Sequence, residues 1–369
     1  MRAAATVAAL CAAATRAQQA PDPRDVAKRA MGQFMKQPTS GDFWKYQYGS
    51  SIMMAAAYEA SARFPGQNYT RALDRQLAFY MTNSSAPAFK ILNNISMAFD
   101  SAVGDHVGLF PIAYLARLDY YGLPVGPETP EWTIAVRTAQ QYIDVWPYHL
   151  PDGTYSRMGG WPGEPTGQPT FVWADDALMG LGLLAALIKH GYANASAYAD
   201  ALAGIQVNYE AHLRDAATGV YRHGYDAATG AQSCCAWGRA NGWQMMSHVD
   251  ALNAIPADHP RFNASLAVFQ RHAAAMAALQ NASDGRWHQV LDAPETFLET
   301  SVTAMTLYGL AIGACARARV RARECGQRGR RGRRRCGDVG AREQRVSGWA
   351  SVPEEKRAGL CRRPPSLLK

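Results

Sequence analysis

Four short segments concentrate carboxylates, tryptophans, arginine and histidine, the groups that hold a sugar and move a proton on it. In FVWADDALMG, Trp173 precedes two adjacent carboxylates, Asp175 and Asp176. Successive residues of a helix point about 100° apart, so only one of the two addresses a given cavity. The competing structural reading is capping, since Asp in a first turn meets orphan N–H groups and the positive end of the helix dipole. That dipole also lowers a carboxyl pKa, so a general acid here requires burial to raise it again. In WGRANGWQMM, Trp237 offers a stacking face and Arg239 a forked donor matched to a substrate carboxylate. Its structural alternative is plain arginine–aromatic packing. VYRHGYD places His223 in an expected hairpin, and AFDSAVGDHVGLF supplies Asp100, Asp105 and His106. Asp100 or Asp105 is a candidate second carboxylate, with capping the alternative for Asp105. DGRWHQVLDAPETFLETS adds Trp287, His288, Glu299, Thr300 and Ser301, to which spacing alone assigns no role.

These segments must be positioned by helices. Apolar stripes at helical spacing run through Asp25–Met35, Trp44–Arg63, Ala72–Met81, Val107–Tyr121, Pro130–Val145, Val172–His190, Ser196–Leu213, Trp237–Leu252, Pro260–Leu279 and Thr296–Gly313. Gly- and Pro-rich stretches separate several of them, and 215–233 is a further polar break. The recurrence predicts an all-α array of helical hairpins, open or closed into a toroid, with strand-like pieces at Gly153–Ser156 and Val220–Gly224 on one rim.

Charge separates the body from its tail. The chain of 369 residues has a net charge of +8, yet 17 of its 38 basic and only 5 of its 30 acidic residues lie in 316–369. The body therefore carries a net −4, which excludes a basic nucleic-acid-binding domain. The Arg/Gly-rich tail lacks helical periodicity and starts abruptly after Ala314, which reads as a frame or splice artefact of a GC-rich gene rather than an RNA-binding arm. Arg2 followed by an Ala-rich stretch reads as a secretory signal over 1–17. Sequons at Asn68, Asn83, Asn94, Asn194, Asn263 and Asn281 suit a glycosylated, secreted protein. No apolar run is long enough for a transmembrane helix. The seven cysteines show no zinc spacing, and Cys234–Cys235 reads as a packed loop pair rather than a redox site.

Taken in order, WADDALMG, HGYD, WGRANGW and DGRWHQVLDAPETFLETS resemble the unsaturated rhamnogalacturonyl hydrolases of glycoside hydrolase family 105, relatives of the unsaturated glucuronyl hydrolases. The resemblance runs from about Asp22 to Ala314. It implies an (α/α)6 barrel over 18–315 and hydration of a 4,5-unsaturated uronic acid, the end group that pectin lyases leave, with release of the next sugar. One carboxyl group acts first as acid and then as base in such a step. Carried onto this chain, the resemblance makes Asp175 that group, with Asp176 the alternative if the register shifts by one, and Asp100 the assisting carboxylate, with Asp105 in reserve. Trp173, His223, Trp237, Arg239 and, from the W-x-Y-x-x-G entry motif, Tyr46 would line the sugar site. The partner is an unsaturated uronic-acid oligosaccharide taken up by a monomer, without metal, organic cofactor, membrane or nucleic acid.

Two departures stand out. Members often carry a His beside a basic residue upstream of W-x-D; here Ser156 and Arg157 stand there, and Arg157 keeps the positive charge that would greet the uronate. Members also continue beyond the LETS helix, where this chain has its Arg-rich tail, so the last wall of the barrel is expected to be incomplete and the chain itself unstable or inactive. Competing readings are another (α/α)6 glycosidase, such as an endo-mannanase with an adjacent Asp pair, and a non-catalytic helical toroid.

Overall fold

A computed structural model describes residues 22–36, 45–64, 66, 69–95, 108–144, 146–159 and 168–313. The expected signal, Asp100, Asp105, His106 and the 316–369 tail lie outside the described residues. Helices dominate: α1 (Pro23–Met35), α2 (Tyr48–Arg63), α3 (Thr70–Thr82), α4 (Pro87–Leu92), α5 (Ile112–Tyr121) and α6 (Pro130–Thr138). A π turn over Ala139–Ile143 extends α6. After two strands, β1 (Arg157–Gly159) and β2 (Gln168–Trp173), come α7 (Asp176–Met179), α8 (Gly182–Lys189) and α9 (Ala195–Leu213). Strands β3 (Gly224–Asp226) and β4 (Ala231–Gln232) lead to α10 (Gly238–Ala254) and α11 (Phe262–Ala278). The hairpin β5 (Trp287–His288) and β6 (Leu298–Glu299) precedes α12, residues 300–313.

Local chemistry explains several boundaries. Pro23, Pro87 and Pro130 open α1, α4 and α6, where the missing N–H costs no hydrogen bond. Asp22 caps α1 by accepting the Arg24 N–H at 2.8 Å. Gly122 ends α5 in the left-handed region (φ 62°), which a β-carbon would disfavour. Neighbouring helices pack on one another: α1 on α2, α2 on α5, α5 on α6, and α8 to α11 among themselves. One core gathers α1 to α6 around Tyr58, Phe110 and Tyr114, and a larger one gathers α5 to α12 around Leu183, Tyr209, Tyr221 and Trp287. In α12, Val302 and Thr306 are buried while Leu307 and Tyr308 are exposed.

The helical array expected from periodicity is therefore observed, with corrections at the rim. The helix expected from Val172 starts at Asp176, because Val172 and Trp173 are strand residues paired with Tyr225 and Gly224. The helix expected from Thr296 starts at 300, because Leu298 and Glu299 pair with His288 and Trp287. In both cases a partner distant in sequence overrides a local apolar stripe. The expected strand pieces are only isolated bridges, His149–Tyr155 and Arg214–Tyr221; regular pairing begins at Arg157 and Gly224. Helix α4 carries too few residues to register as a periodic stripe.

Strands β1 to β4 form one antiparallel sheet in sequential order. Gly238 opens α10 against the β5 region: a β-carbon there would lie 2.6 Å from the His288 carbonyl oxygen and 3.0 Å from that of Gln289. Its N–H donates to the Gln289 carbonyl at 2.6 Å. Backbone cannot yield as a side chain can, so Gly238→Ala should cost about 1–3 kcal/mol, read as a shift in the urea midpoint.

Candidate active site

The sheet brings two of the chemistry-bearing segments together. In β2, Trp173 pairs with Gly224 of β3, and the next N–H, that of Ala174, donates to the His223 carbonyl at 2.9 Å. That bond sets Ala174 opposite His223; the chain then leaves the strand at Asp175, whose backbone is already helical (φ −61°, ψ −34°), and the imidazole Nε2–H donates to Asp175 Oδ2 at 3.1 Å. His223 lies edge-on to two indoles, 4.2 Å from Trp173 and 4.7 Å from Trp237 between ring centres. Trp237 is the N-cap of α10 and bridges to Val290, so the β5 region backs this wall.

The two adjacent aspartates occupy different environments. Asp175 makes no side-chain cap, so its carboxylate is not consumed by the helix start. Asp176 is more deeply buried, and Arg157 grips it with both Nε, at 2.8 Å, and Nη2. The charge of Arg157, expected to face a uronate, is thus paired with Asp176. A pocket lined by Gly108, Tyr142, Trp146, Ser156, Arg157 and Asp176 adjoins this ion pair, while Asp175 and His223 lie outside its lining. Removing one partner of a buried pair leaves the other charge uncompensated, so Asp176→Ala should destabilise by about 3–5 kcal/mol, measured by chemical denaturation.

Arg239 turns toward a partner that spacing did not reveal. Its Nε and Nη2 both reach Glu299 Oε1, at 3.0 and 2.9 Å, and Ser301 donates to the same oxygen. Its guanidinium also lies 4.9 Å from the centre of the Trp237 ring. Glu299 is buried, whereas the Arg239 side chain is 38% exposed, so the cation still presents a face to solvent. Tyr46 is not brought to this group: it stacks on Phe110 at 3.8 Å, edge-on to Tyr80, with its hydroxyl buried and unpartnered. Burial holds the Tyr46 phenol well above its ordinary pKa, so it stays neutral.

Two further residues support the wall. Arg222 binds Asp215 at 2.7 Å, Asp292 at 2.6 Å and the Cys234 carbonyl at 2.8 Å. Asp292 in turn accepts the Ala236 N–H at 3.0 Å, joining the His223 segment to the Trp237 segment. Cys234 and Cys235 are joined in a disulfide between adjacent residues, where the sequence suggested only a packed pair. Inside α10, Asn241, Gln244 and Ser247 form a buried polar stripe at helical spacing. That stripe was readable as polar residues on a helix buried nearly all round, but its partners were not. Among the described residues, no group of three or more His, Cys, Asp or Glu side chains is arranged to hold a metal ion, and no helix is long and apolar enough to cross a membrane.

Beneath the site, His248 and His272 are fully buried with unpartnered Nδ1 atoms. Burial pulls His248 down to about 3 and His272 well below its ordinary value, so both are neutral when folded. The unfolded chain takes up these protons below about pH 6.5 and the folded chain does not. Stability present above that pH is therefore lost as pH falls toward 3. Between pH 7 and pH 5 the melting temperature should drop, and the drop should be smaller in His248→Phe.

This array of helical hairpins has clear counterparts among solved structures. These include a possible GH105 family member from Klebsiella pneumoniae (TM-score 0.62, 19% identity, covering 81% of this chain and 77% of that one). A family 105 glycoside hydrolase from C. acetobutylicum is similar (TM-score 0.61, 18%, 79% and 76%). So is the unsaturated glucuronyl hydrolase of Bacillus sp. GL1 (TM-score 0.54, 15%, 79% and 76%). The class is thus the six-hairpin helical toroid. Residues 127–322 match the model of Glycosyl Hydrolase Family 88, and the chain belongs to that family. It is also 34% identical over 137 residues to the unsaturated rhamnogalacturonyl hydrolase YesR of Bacillus subtilis, a match spanning 37% of this chain and 39% of that protein.

Proposed function

We propose that the chain is a secreted glycosidase that hydrates the 4,5-unsaturated uronic acid at the non-reducing end of pectin-derived rhamnogalacturonan oligosaccharides. The observation that carries this reading is the Asp175–His223 hydrogen bond between Trp173 and Trp237, in a chain of Family 88 similar to YesR.

The chemistry asks for one group that gives a proton and then takes one. Asp175, protonated, delivers a proton to C4 of the vinyl ether, and the developing cation at C5 is stabilised by the ring oxygen. Asp175, now a carboxylate, removes a proton from the water whose oxygen bonds to C5. The hemiketal opens to a ketone, the anomeric carbon becomes a hemiacetal, and the neighbouring sugar departs as its alcohol. His223 orients Asp175 through its Nε2–H. The indoles offer apolar faces to the pyranose, and the exposed side of Arg239 suits the uronate carboxylate. Asp176 is spent on Arg157 and takes no proton in this scheme. Asp100 keeps its place as a proposed assisting carboxylate.

The test is loss of the ultraviolet band of the conjugated double bond on an unsaturated galacturonyl-rhamnose disaccharide. The folded chain should remove the band, and Asp175→Asn should slow this by about 10²–10⁴-fold. A folded chain that leaves the band intact while cleaving mannan would establish the endo-mannanase alternative instead. Secretion is checked separately, by finding an N-terminus near Gln18 on protein recovered from the medium.

A further inference from the structure

We propose that Asn241 is a positioning residue, which sets the Asp175–His223 pair from inside α10. The inference rests on the reading of Asp175 as the acid and base. Asn241 is fully buried, and its amide is used completely. Oδ1 accepts the Tyr221 N–H at 2.8 Å, and Nδ2 donates to the Tyr221 carbonyl at 2.8 Å. This two-point clamp imitates a strand neighbour and fixes the Tyr221 peptide in place and direction. The same Nδ2 donates to the Trp237 carbonyl at 3.0 Å, and His272 Nε2–H donates to Oδ1 at 3.0 Å. One side chain therefore ties together the segment that carries His223, the residue whose indole packs on His223, and α11.

The carboxylate side of the pair is held from the same helix. Gln244, one turn on, donates to the Ala174 carbonyl at 2.6 Å, and Ser247 donates to the Ala177 carbonyl at 2.7 Å. Asp175 lies between those two anchored residues. The 3.1 Å separation between Asp175 and His223 is thus fixed by side chains on one helix, all of them buried away from solvent. A site carried by loops alone would be held less tightly. The charged groups around the pair, Arg157 with Asp176 and Arg239 with Glu299, are each already paired, so they do not compete for His223.

The experiment is a double-mutant cycle of Asn241→Ser with His223→Ala on the full chain, assayed on the unsaturated disaccharide. Asn241→Ser should lower kcat about 10–100-fold with KM changed less than about threefold, a split expected when only the reacting geometry is disturbed. In the His223→Ala background the same change should cost less than about threefold, because its route to Asp175 is already gone. Full additivity would overturn the proposal. A second readout does not depend on turnover: the NMR ring-proton signals of His223, identified by their loss in His223→Ala and set by the ring currents of the two flanking indoles, should shift in Asn241→Ser. Unmoved signals overturn the proposal even if the chain proves active, whereas an inactive wild type with moved signals refutes only the functional reading. If Asn241→Ser does not fold, Gln244→Met removes the Ala174 anchor at nearly constant volume and must show the same non-additivity and the same shift; additivity there sinks the idea.

Discussion

Two backbone segments, 171–175 and 221–226, meet as antiparallel neighbours, and the geometry of the site depends on their register. A slip of one residue would move every cross-strand side chain to the opposite face of the sheet and break the backbone bond that sets His223 against Ala174. Three features hold the register. Gly224 lets the strands close, since a β-carbon there would stand 2.9 Å from the Phe171 ring. The Ala174 N–H is bonded to the His223 carbonyl. The amides of Asn241 and Gln244 then grip Tyr221 and Ala174 from the helix behind. Each neutral hydrogen bond adds only about 1 kcal/mol net, but a buried donor or acceptor left unmet costs about 1–3 kcal/mol. The penalty for misalignment is therefore larger than the gain from any single bond.

That constraint also gives two neighbouring carboxylates different work. Asp176 faces inward, where a buried carboxylate is tolerable only with a partner, and Arg157 provides it. Asp175 faces the rim, bonded to an imidazole that two indoles flank, while solvent still reaches it. Environment, rather than residue type, separates a carboxylate locked in an ion pair from one left accessible beside an imidazole. The same logic pairs Arg239 with the buried Glu299: the carboxylate orients the fork and leaves part of the cation facing out.

Much of the framework was legible in the sequence because it is written in local periodicity. The stripes in 196–213, 237–252 and 260–279 match α9, α10 and α11 within a few residues. Legibility failed where pairing is long-range. Val172 and Leu298 continue apolar stripes and read as helix, yet each is claimed by a strand whose partner the stripe cannot announce. At the site, the resemblance named Trp173, Asp175, His223, Trp237 and Arg239, and the fold brings all five into one neighbourhood. It also named Tyr46 and Arg157, which the fold assigns to an aromatic core and to an internal ion pair. Glu299, Asp292 and Gln244 carried no role in the sequence because their partners lie 60, 70 and 70 residues away.

The sequence by itself determined the helical array, the acidic body beneath a misleading basic total, and the inventory of groups able to handle a uronic acid. These follow from residue type and short-range spacing, which the linear chain already contains. Only the tertiary structure decided which of two adjacent aspartates is locked in a buried ion pair, which arginine stays exposed, and how far Asp175 stands from His223. Those are differences in burial and partnership, and they arise only when segments tens of residues apart compete for the same few hydrogen bonds in a space that excludes water.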